Sequence, residues 1–320
     1  MTLLLPPLAL ISAAVALAAS SRSVAITIDD LPYVAAGLDG NELAQQAKTA
    51  NDKLLAALKR HHVPVIGFVN QKRVQEIGTT TGTQILQHWI RDGLDLGNHT
   101  YSHADFNALT IPQFEDEIIN GEATFAGLMK QAGKQSQFFR FPFNHTGDTK
   151  EKHDTIQALL ERHGYKVATC TIDTSDYVFN RAYALAVARH DKAAIDKLQR
   201  EYLAYSSLEI DYYAQLNTQV IGYEPPEVML LHDNRLNADT MGQILALFTN
   251  KGYKFISLEQ AQSDPVYREP DTYITKYGFM WGYRWAAERG IKVNGRLEPD
   301  VPKWIETYPG LSTPTAGHQY

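Results

Sequence analysis

Cysteine is nearly absent from this 320-residue chain: Cys170 stands alone, so no disulfide forms within it. Cys170 sits in the apolar-flanked run from Tyr165 to Thr171, a setting for a buried structural thiol rather than a nucleophile. A large core makes disulfides unnecessary, so their absence leaves the compartment open. Basic clusters are missing as well. Thirty Lys and Arg stand against 36 Asp and Glu, a net charge of −6, with no basic run and no arginine stripe. That excludes the electrostatic footprint of a nucleic-acid binder. There is no low-complexity tract and no internal repeat, and 44% hydrophobic with 21% charged residues is the composition of a globular protein.

Long apolar runs are confined to the start. Leu3 to Ala19 is almost wholly apolar and ends among the small residues Ala16, Ala18 and Ser20, which reads as a signal peptide over residues 1–20. No Lys or Arg precedes the run, Pro6 and Pro7 interrupt it, and it is short for a spanning helix. The expectation is a secreted or periplasmic protein with no stable membrane span after processing.

From residue 22 onward short apolar runs alternate with helical segments, the pattern of an α/β fold. Strands are predicted at Val24–Ile28, Val63–Val69, up to Gly97, Phe138–Phe141, Tyr165–Ile172, Val228–Leu231 and Tyr253–Ile256. Helices are predicted at Asn41–His61, Ile85–Arg91, Ile111–Gln131 as one long element, 150–163, and from Leu258. A helical insert at about 178–225 breaks the alternation. Beyond residue 262 comes a tail rich in aromatics, in which Trp281 and Trp285 at helical spacing suggest packing on the domain more than display to a ligand.

Titratable residues gather where the apolar strands stop. Val24–Ile28 runs into Asp29 and Asp30, whose mutual repulsion a metal cation offsets; for an isolated pair, one Asp capping a turn is the plainer reading. His99 and His103, in HTYSH, place two imidazoles four residues apart, and with one carboxylate they make a three-ligand set with open positions, which favours catalysis over a closed structural site. Arg140, inside the apolar FFRFPF, needs a carboxylate partner: Asp29, held ionised and oriented, or a structural salt bridge elsewhere. His232 ends the run Val228–Leu231, and Asp176 also falls at such an end. In parallel barrels the active site is assembled from the carboxyl ends of several strands.

In this order, TIDD at Thr27–Asp30, HTYSH, the Arg of RFPFN, DTSDY at Asp173–Tyr177 and LLH ending at His232 resemble the polysaccharide deacetylase family, carbohydrate esterase family four. The resemblance covers roughly residues 22–260. It implies a distorted (β/α) barrel of about seven strands, with a catalytic domain over 21–262 and a C-terminal extension over 263–320 packed on it. By the same resemblance Asp29 is the base, Asp30, His99 and His103 are the metal ligands and His232 is the acid. Arg140 orients Asp29, Asp176 orients His232, and the backbone N–H of Phe143 shares the oxyanion with the metal. Zinc is the implied metal, with iron, cobalt or nickel also compatible with two histidines and a carboxylate. The implied substrate is an acetylated carbohydrate of chitin or peptidoglycan type.

Ile28, Asn144 and Tyr177 depart from the family pattern, where Phe, Gly and Trp are frequent, and the last two bear on acceptor specificity. An acetyl xylan O-acetyl esterase is the alternative enzyme, since esters and amides pass through the same tetrahedral intermediate. A non-catalytic carbohydrate-binding protein is the alternative outside catalysis. The Asn-His-Thr strings at Asn98 and Asn144 match glycosylation acceptors but overlap the motifs and read as coincidence.

Overall fold

The computed structural model describes residues 22–34 and 40–311; the segment 1–20, expected from the sequence to be a signal peptide, lies outside them. Seven strands form one parallel sheet: β1 (Ser23–Leu31), β2 (Ile66–Val69), β3 (Asp95–Asn98), β4 (Phe138–Phe139), β5 (Lys166–Val167), β6 (Glu227–His232) and β7 (Lys254–Phe255). The helices are α1 (Gly40–Arg60), α2 (Gln71–Glu76), α3 (Thr79–Arg91), α4 (Ile111–Gly121), α5 (Phe125–Gln131), α6 (Lys150–Arg162), α7 (Asp176–Ala188), α8 (Lys192–Ile221), α9 (Arg235–Asn250), α10 (Leu258–Ala261), α11 (Trp281–Glu288) and α12 (Lys303–Glu306).

Parallel strands buried on both faces read as continuous apolar runs, which is why β1 and β6 stand out in the sequence. The strand order is β5-β4-β3-β2-β1-β6. Beyond β5 the chain carries on to Thr171 and Ile172, which bridge the free edge of β6: Thr171 N–H donates to Val228 O at 2.9 Å and Leu230 N–H to Ile172 O at 2.9 Å. One continuous stretch therefore joins the two sheet edges and closes a (β/α) barrel. The distortion lies at β1, whose one edge is shared: Ser23 and Val24 pair with β7, Thr27 to Leu31 with β2.

The helices shield this barrel by their apolar stripes. Leu43, Ala47, Ala50, Leu54, Leu55 and Leu58 form the buried face of α1. A second core, Phe106, Phe114, Phe139, Phe141 and Tyr165, fills the space around β4, α4 and α6. Trp281 and Trp285 of α11 are 5% and 3% exposed and belong to the main core. Among the described residues no helix is long and apolar enough to cross a membrane.

Two sequence expectations need correction, and a third point is an element the sequence reading did not include. First, Asp29 and Asp30 do not follow the strand but lie within β1, at an irregularity between Ile28 and Leu31 where the register with β2 shifts. Asp30 has φ +67°. Such a bulge aims two successive side chains to one side, which strand alternation alone forbids. Second, the long helix over 111–131 breaks into α4 and α5. Its end is drawn off by the HTYSH loop: Tyr101 N–H donates to Glu117 O (2.9 Å) and Asn98 Nδ2 to Ile118 O (2.9 Å), while a Cβ on Gly121 would meet Asn98 Oδ1 at 2.6 Å. Third, α2, which the sequence pattern did not reveal, starts at the cap of Asn70, whose side chain accepts from Arg73 N–H.

Candidate active site

The carboxyl ends of β1, β3, β4 and β6, with the start of α7, bring Asp29, Asp30, His99, His103, Arg140, Phe143, Asp176 and His232 to one mouth of the barrel. His99 Nε2 lies 3.9 Å from Asp30 Oδ1 and 3.8 Å from Asp29 Oδ2, and His103 Nε2 lies 3.8 Å from Asp30 Oδ1. The ligand atoms of Asp30, His99 and His103 all fall within 4.8 Å of one another.

Hydrogen bonds set the tautomers. His99 Nδ1 meets Arg140 O at 2.8 Å, and a carbonyl only accepts, so the proton sits on Nδ1 and Nε2 is bare. That lone pair faces the oxygens of two carboxylates, an arrangement a cation between them stabilises. Burial holds the imidazoles of His99 and His103 down, at about 4 and about 3, so both are neutral near pH 7. Neutral imidazoles, one with its orientation fixed by a carbonyl, are the form that ligates metal. Asp30 is held ionised: burial opposes this, but the charge of Arg73, joined in acid by those of His103 and His99, outweighs it and keeps the carboxyl far below the ordinary range. Two imidazoles and one carboxylate fit a tetrahedral cation with an open position.

Asp29 differs from its neighbour. Arg140 Nη1 donates to Asp29 Oδ2 at 3.3 Å, while its other nitrogens bond Thr27 Oγ1, Ala168 O and Thr169 O. The guanidinium is thus shared, and burial wins: it pushes the Asp29 carboxyl up to about 6 against the pull of Arg140 and His232. The expected pairing of Arg140 with Asp29 is present, and with burial acting against it the carboxyl is poised just below neutrality. Its Oδ1 is buried with no hydrogen-bond donor from the protein.

On the far side, His232 Nδ1 donates to Asp176 Oδ1 at 2.7 Å. Oδ2 of Asp176 accepts from His232 N–H (2.9 Å), Asn234 Nδ2 (3.0 Å) and Asn237 Nδ2. Burial acts downward on His232, yet the Asp176 charge and hydrogen bond outweigh it and raise the imidazole to about 10. Tyr177 packs edge-on against His232, ring centroids 6.0 Å apart, and Phe143 against His103 at 4.6 Å.

Left-handed backbone concentrates here. Of the eight non-glycine residues with positive φ among those described, Asp30, Thr100, His103, Phe143, Asn144 and Ser175 lie in the site motifs. Such conformations cost about 1–2 kcal/mol each and persist where surrounding contacts over-determine them. Asn tolerates them better than most residues, which accounts for Asn144 in a position at φ +53° where glycine also fits. Asn98 and Asn144 are buried, so neither offers a glycosylation acceptor.

Sequence reasoning missed three residues. Arg73 of α2 grips Asp30 through Nε (3.2 Å) and Nη2 (3.1 Å); an arginine three residues after the capping Asn70 was the available signal. Asn234 and Asn237 share Asp176 with His232, and their three-residue spacing across a helix start pointed to a cap, not to a partner for the site. Cys170, as read from the sequence, is buried, and burial lifts its thiol to about 12.

Residues 17–168 match the family model described as polysaccharide deacetylase. This match supports assignment of that segment to the polysaccharide deacetylase family. The matched segment includes Asp29, Asp30, His99, His103, Arg140 and Phe143 and stops short of Asp176 and His232. A curated relative, an uncharacterized 30.6 kDa protein from Geobacillus stearothermophilus, is 21% identical over 222 residues, 69% of each chain. Among solved structures the chain resembles a mutant of a CE4 family pseudoenzyme at 16% identity, TM-score 0.50, covering 76% of this chain and 67% of that one; its wild-type form is from Bacillus anthracis. The peptidoglycan deacetylase PdaC from Bacillus subtilis is similar at 19% identity, TM-score 0.46, over 78% of this chain and 94% of that one. The barrel is of the deacetylase type, and the family match over residues 17–168 supports carbohydrate deacetylation as the class of activity.

Proposed function

We propose that this chain is a metal-dependent deacetylase that removes N-acetyl groups from an exported amino-sugar polymer or oligomer of chitin or peptidoglycan type. The observation that carries the reading is geometric: Asp29, paired with Arg140, and His232, paired with Asp176, flank the His99–His103–Asp30 set, with burial raising the Asp29 carboxyl and Asp176 raising the His232 imidazole. A base largely ionised and an acid largely protonated at neutral pH is the division of labour that amide hydrolysis requires. A pseudoenzyme shares the fold, so the barrel alone carries no activity.

In this reading Asp30, His99 and His103 hold the metal, most fittingly zinc, which when bound supplies Lewis acidity to the acetyl carbonyl and lowers the pKa of water. Asp29 Oδ1, lacking a protein donor, takes the proton of the attacking water. Arg140 fixes the other oxygen of Asp29. The N–H of Phe143 donates to the tetrahedral oxyanion. His232, its Nδ1 tied to Asp176, gives the Nε2 proton to the departing amine. An amine leaves only when protonated, whereas an alcohol needs that proton less, so an imidazole kept protonated by its Asp176 partner favours the amide over the xylan ester.

Acetate release tests this, from chitin oligomers and from acetylated xylan, with zinc removed and restored, in the wild type and in Asp29→Asn. Zinc-dependent release from the oligomers, reduced at least ~10³-fold in the variant, is expected. Preference for xylan makes the protein an esterase. No release from either by folded, zinc-loaded protein overturns the enzymatic reading.

A further inference from the structure

The segment beyond the barrel returns to the site. Lys276 to Trp281 crosses the barrel mouth: Asn107 Nδ2 donates to Lys276 O at 3.0 Å, and Trp281 N–H donates to Cys170 O at 2.8 Å. Between these anchors Gly278 lies against the Phe143 carbonyl so closely that a Cβ there would come within 1.8 Å of the oxygen. Arg284 lies further along, in α11. It is 1% exposed, and its guanidinium donates to Asn144 O (2.7 Å), Thr146 Oγ1 (2.8 Å), Asp271 Oδ2 (3.3 Å) and Phe279 O (3.1 Å), with its face over the Trp281 ring.

Both contacts fall on the strained turn. Phe143 (φ 57°, ψ 12°) and Asn144 (φ 53°) are consecutive left-handed residues, neither of them glycine. Within the turn, His145 N–H donates to Pro142 O at 3.2 Å, and the planar trans peptide sends Phe143 N–H to the opposite side of that carbonyl. Its direction is therefore set by whatever holds residues 142–146 in place. Gly278 bears on the Phe143 carbonyl, and Arg284 ties the next carbonyl and the Thr146 hydroxyl.

We propose that the extension is a working wall of the active site, in which Gly278 and Arg284 are positioning residues that lock the Phe143–Asn144 turn and so aim the oxyanion donor. The inference rests on the assignment of Phe143 N–H to the oxyanion. Arg284 touches neither the metal-ligand set nor Asp29 or His232, so its loss acts first on the turn and reaches the metal set only through the Phe143 ring against His103.

The test compares Gly278→Ala, Arg284→Lys and Arg284→Met in the full chain with Arg289→Ala, a control on the same extension whose side chain bonds Glu269 and Val220 O. Three readouts are taken: hydrogen exchange of the peptide spanning 141–147, zinc affinity by chelator competition, and steady-state kinetics on chitin oligomers. Expected are exchange about tenfold faster or more, zinc affinity within twofold of wild type, and kcat lower by roughly 10²-fold at similar KM, with Arg284→Lys intermediate and Arg289→Ala like wild type. Unchanged exchange and kcat in Gly278→Ala and Arg284→Lys overturn the proposal, as does zinc affinity falling in step with activity. If the wild type releases no acetate, the function proposed above fails, and the exchange data still decide whether the extension locks the turn.

Discussion

Replacing Asp176 by asparagine removes one charge and little volume, and the hydrogen bonds around it dictate how the site responds. Three donors converge on Oδ2 of Asp176: His232 N–H, Asn234 Nδ2 and Asn237 Nδ2. The single amide oxygen must turn to them, which leaves the NH2 group facing His232 Nδ1. That nitrogen then accepts, and His232 becomes a neutral imidazole whose only proton, on Nε2, is not released near neutrality. Burial, no longer countered by Asp176, also lowers the imidazole, against the remaining pull of Asp30 and Asp29. A fall of about 10³–10⁴ in kcat is expected, the size seen when a catalytic imidazole is held in the wrong tautomer. Stability carries the same signature. His232 is raised from 6.5 to about 10, so its contribution is complete below about pH 6.5 and is lost as pH rises through 10. At ~1.36 kcal/mol per unit the ceiling is roughly 5 kcal/mol. Urea unfolding of metal-free wild type and Asp176→Asn should therefore differ most at pH 6 and converge toward pH 10, with NMR following the imidazole directly. A gap independent of pH, or a His232 titration still near 10 in the variant, would refute the reasoning.

Two further outcomes concern the metal set. Without Arg73, the buried carboxylate of Asp30 loses its bidentate partner, so Arg73→Met is expected to destabilise the metal-free protein by about 2–3 kcal/mol and to show a larger thermal shift on adding zinc than the wild type; an equal shift means that Arg73 holds Asp30 alike in both states. Because burial keeps His99 and His103 neutral down to about 4 and about 3, zinc binding displaces almost no imidazole protons above pH 5. Equilibrium dialysis at pH 5.5 and 7.5 should give affinities within about threefold, whereas two ordinary histidines would lose about 10² over the same interval.

Much of this site was legible because a buried parallel strand announces its own end. β6 reads as uninterrupted apolar residues until His232, and Arg140 stands out among phenylalanines, so a periodicity argument marks the positions from which a barrel mouth is built. Backbone geometry was not legible in the same way. The bulge that turns Asp29 and Asp30 to one side, and the break between α4 and α5, are decided by hydrogen bonds to residues distant in sequence. The contacts of Arg73 and Arg284 belong to the same class: each is a long side chain whose partner lies across the fold, 43 and 140 positions away. The proton affinity of Asp29 escaped the sequence for a related reason, since a charged neighbour can be read from a motif while the depth of burial cannot.

The pairing of β1 with β6 has a temporal side. Val24 lies opposite Glu227, so the strand that carries both aspartates gains one neighbour only after some 200 further residues have been made. At roughly 5–20 residues per second the nascent chain spends about 10–40 s with that apolar edge unpaired. Until β6 arrives, the unpaired edge of a ribosome-held or translocating chain is open to pairing with other strands. A fragment cut at the limit of the matched segment would face the same exposure permanently, lacking both β6 and the Thr171–Ile172 bridge.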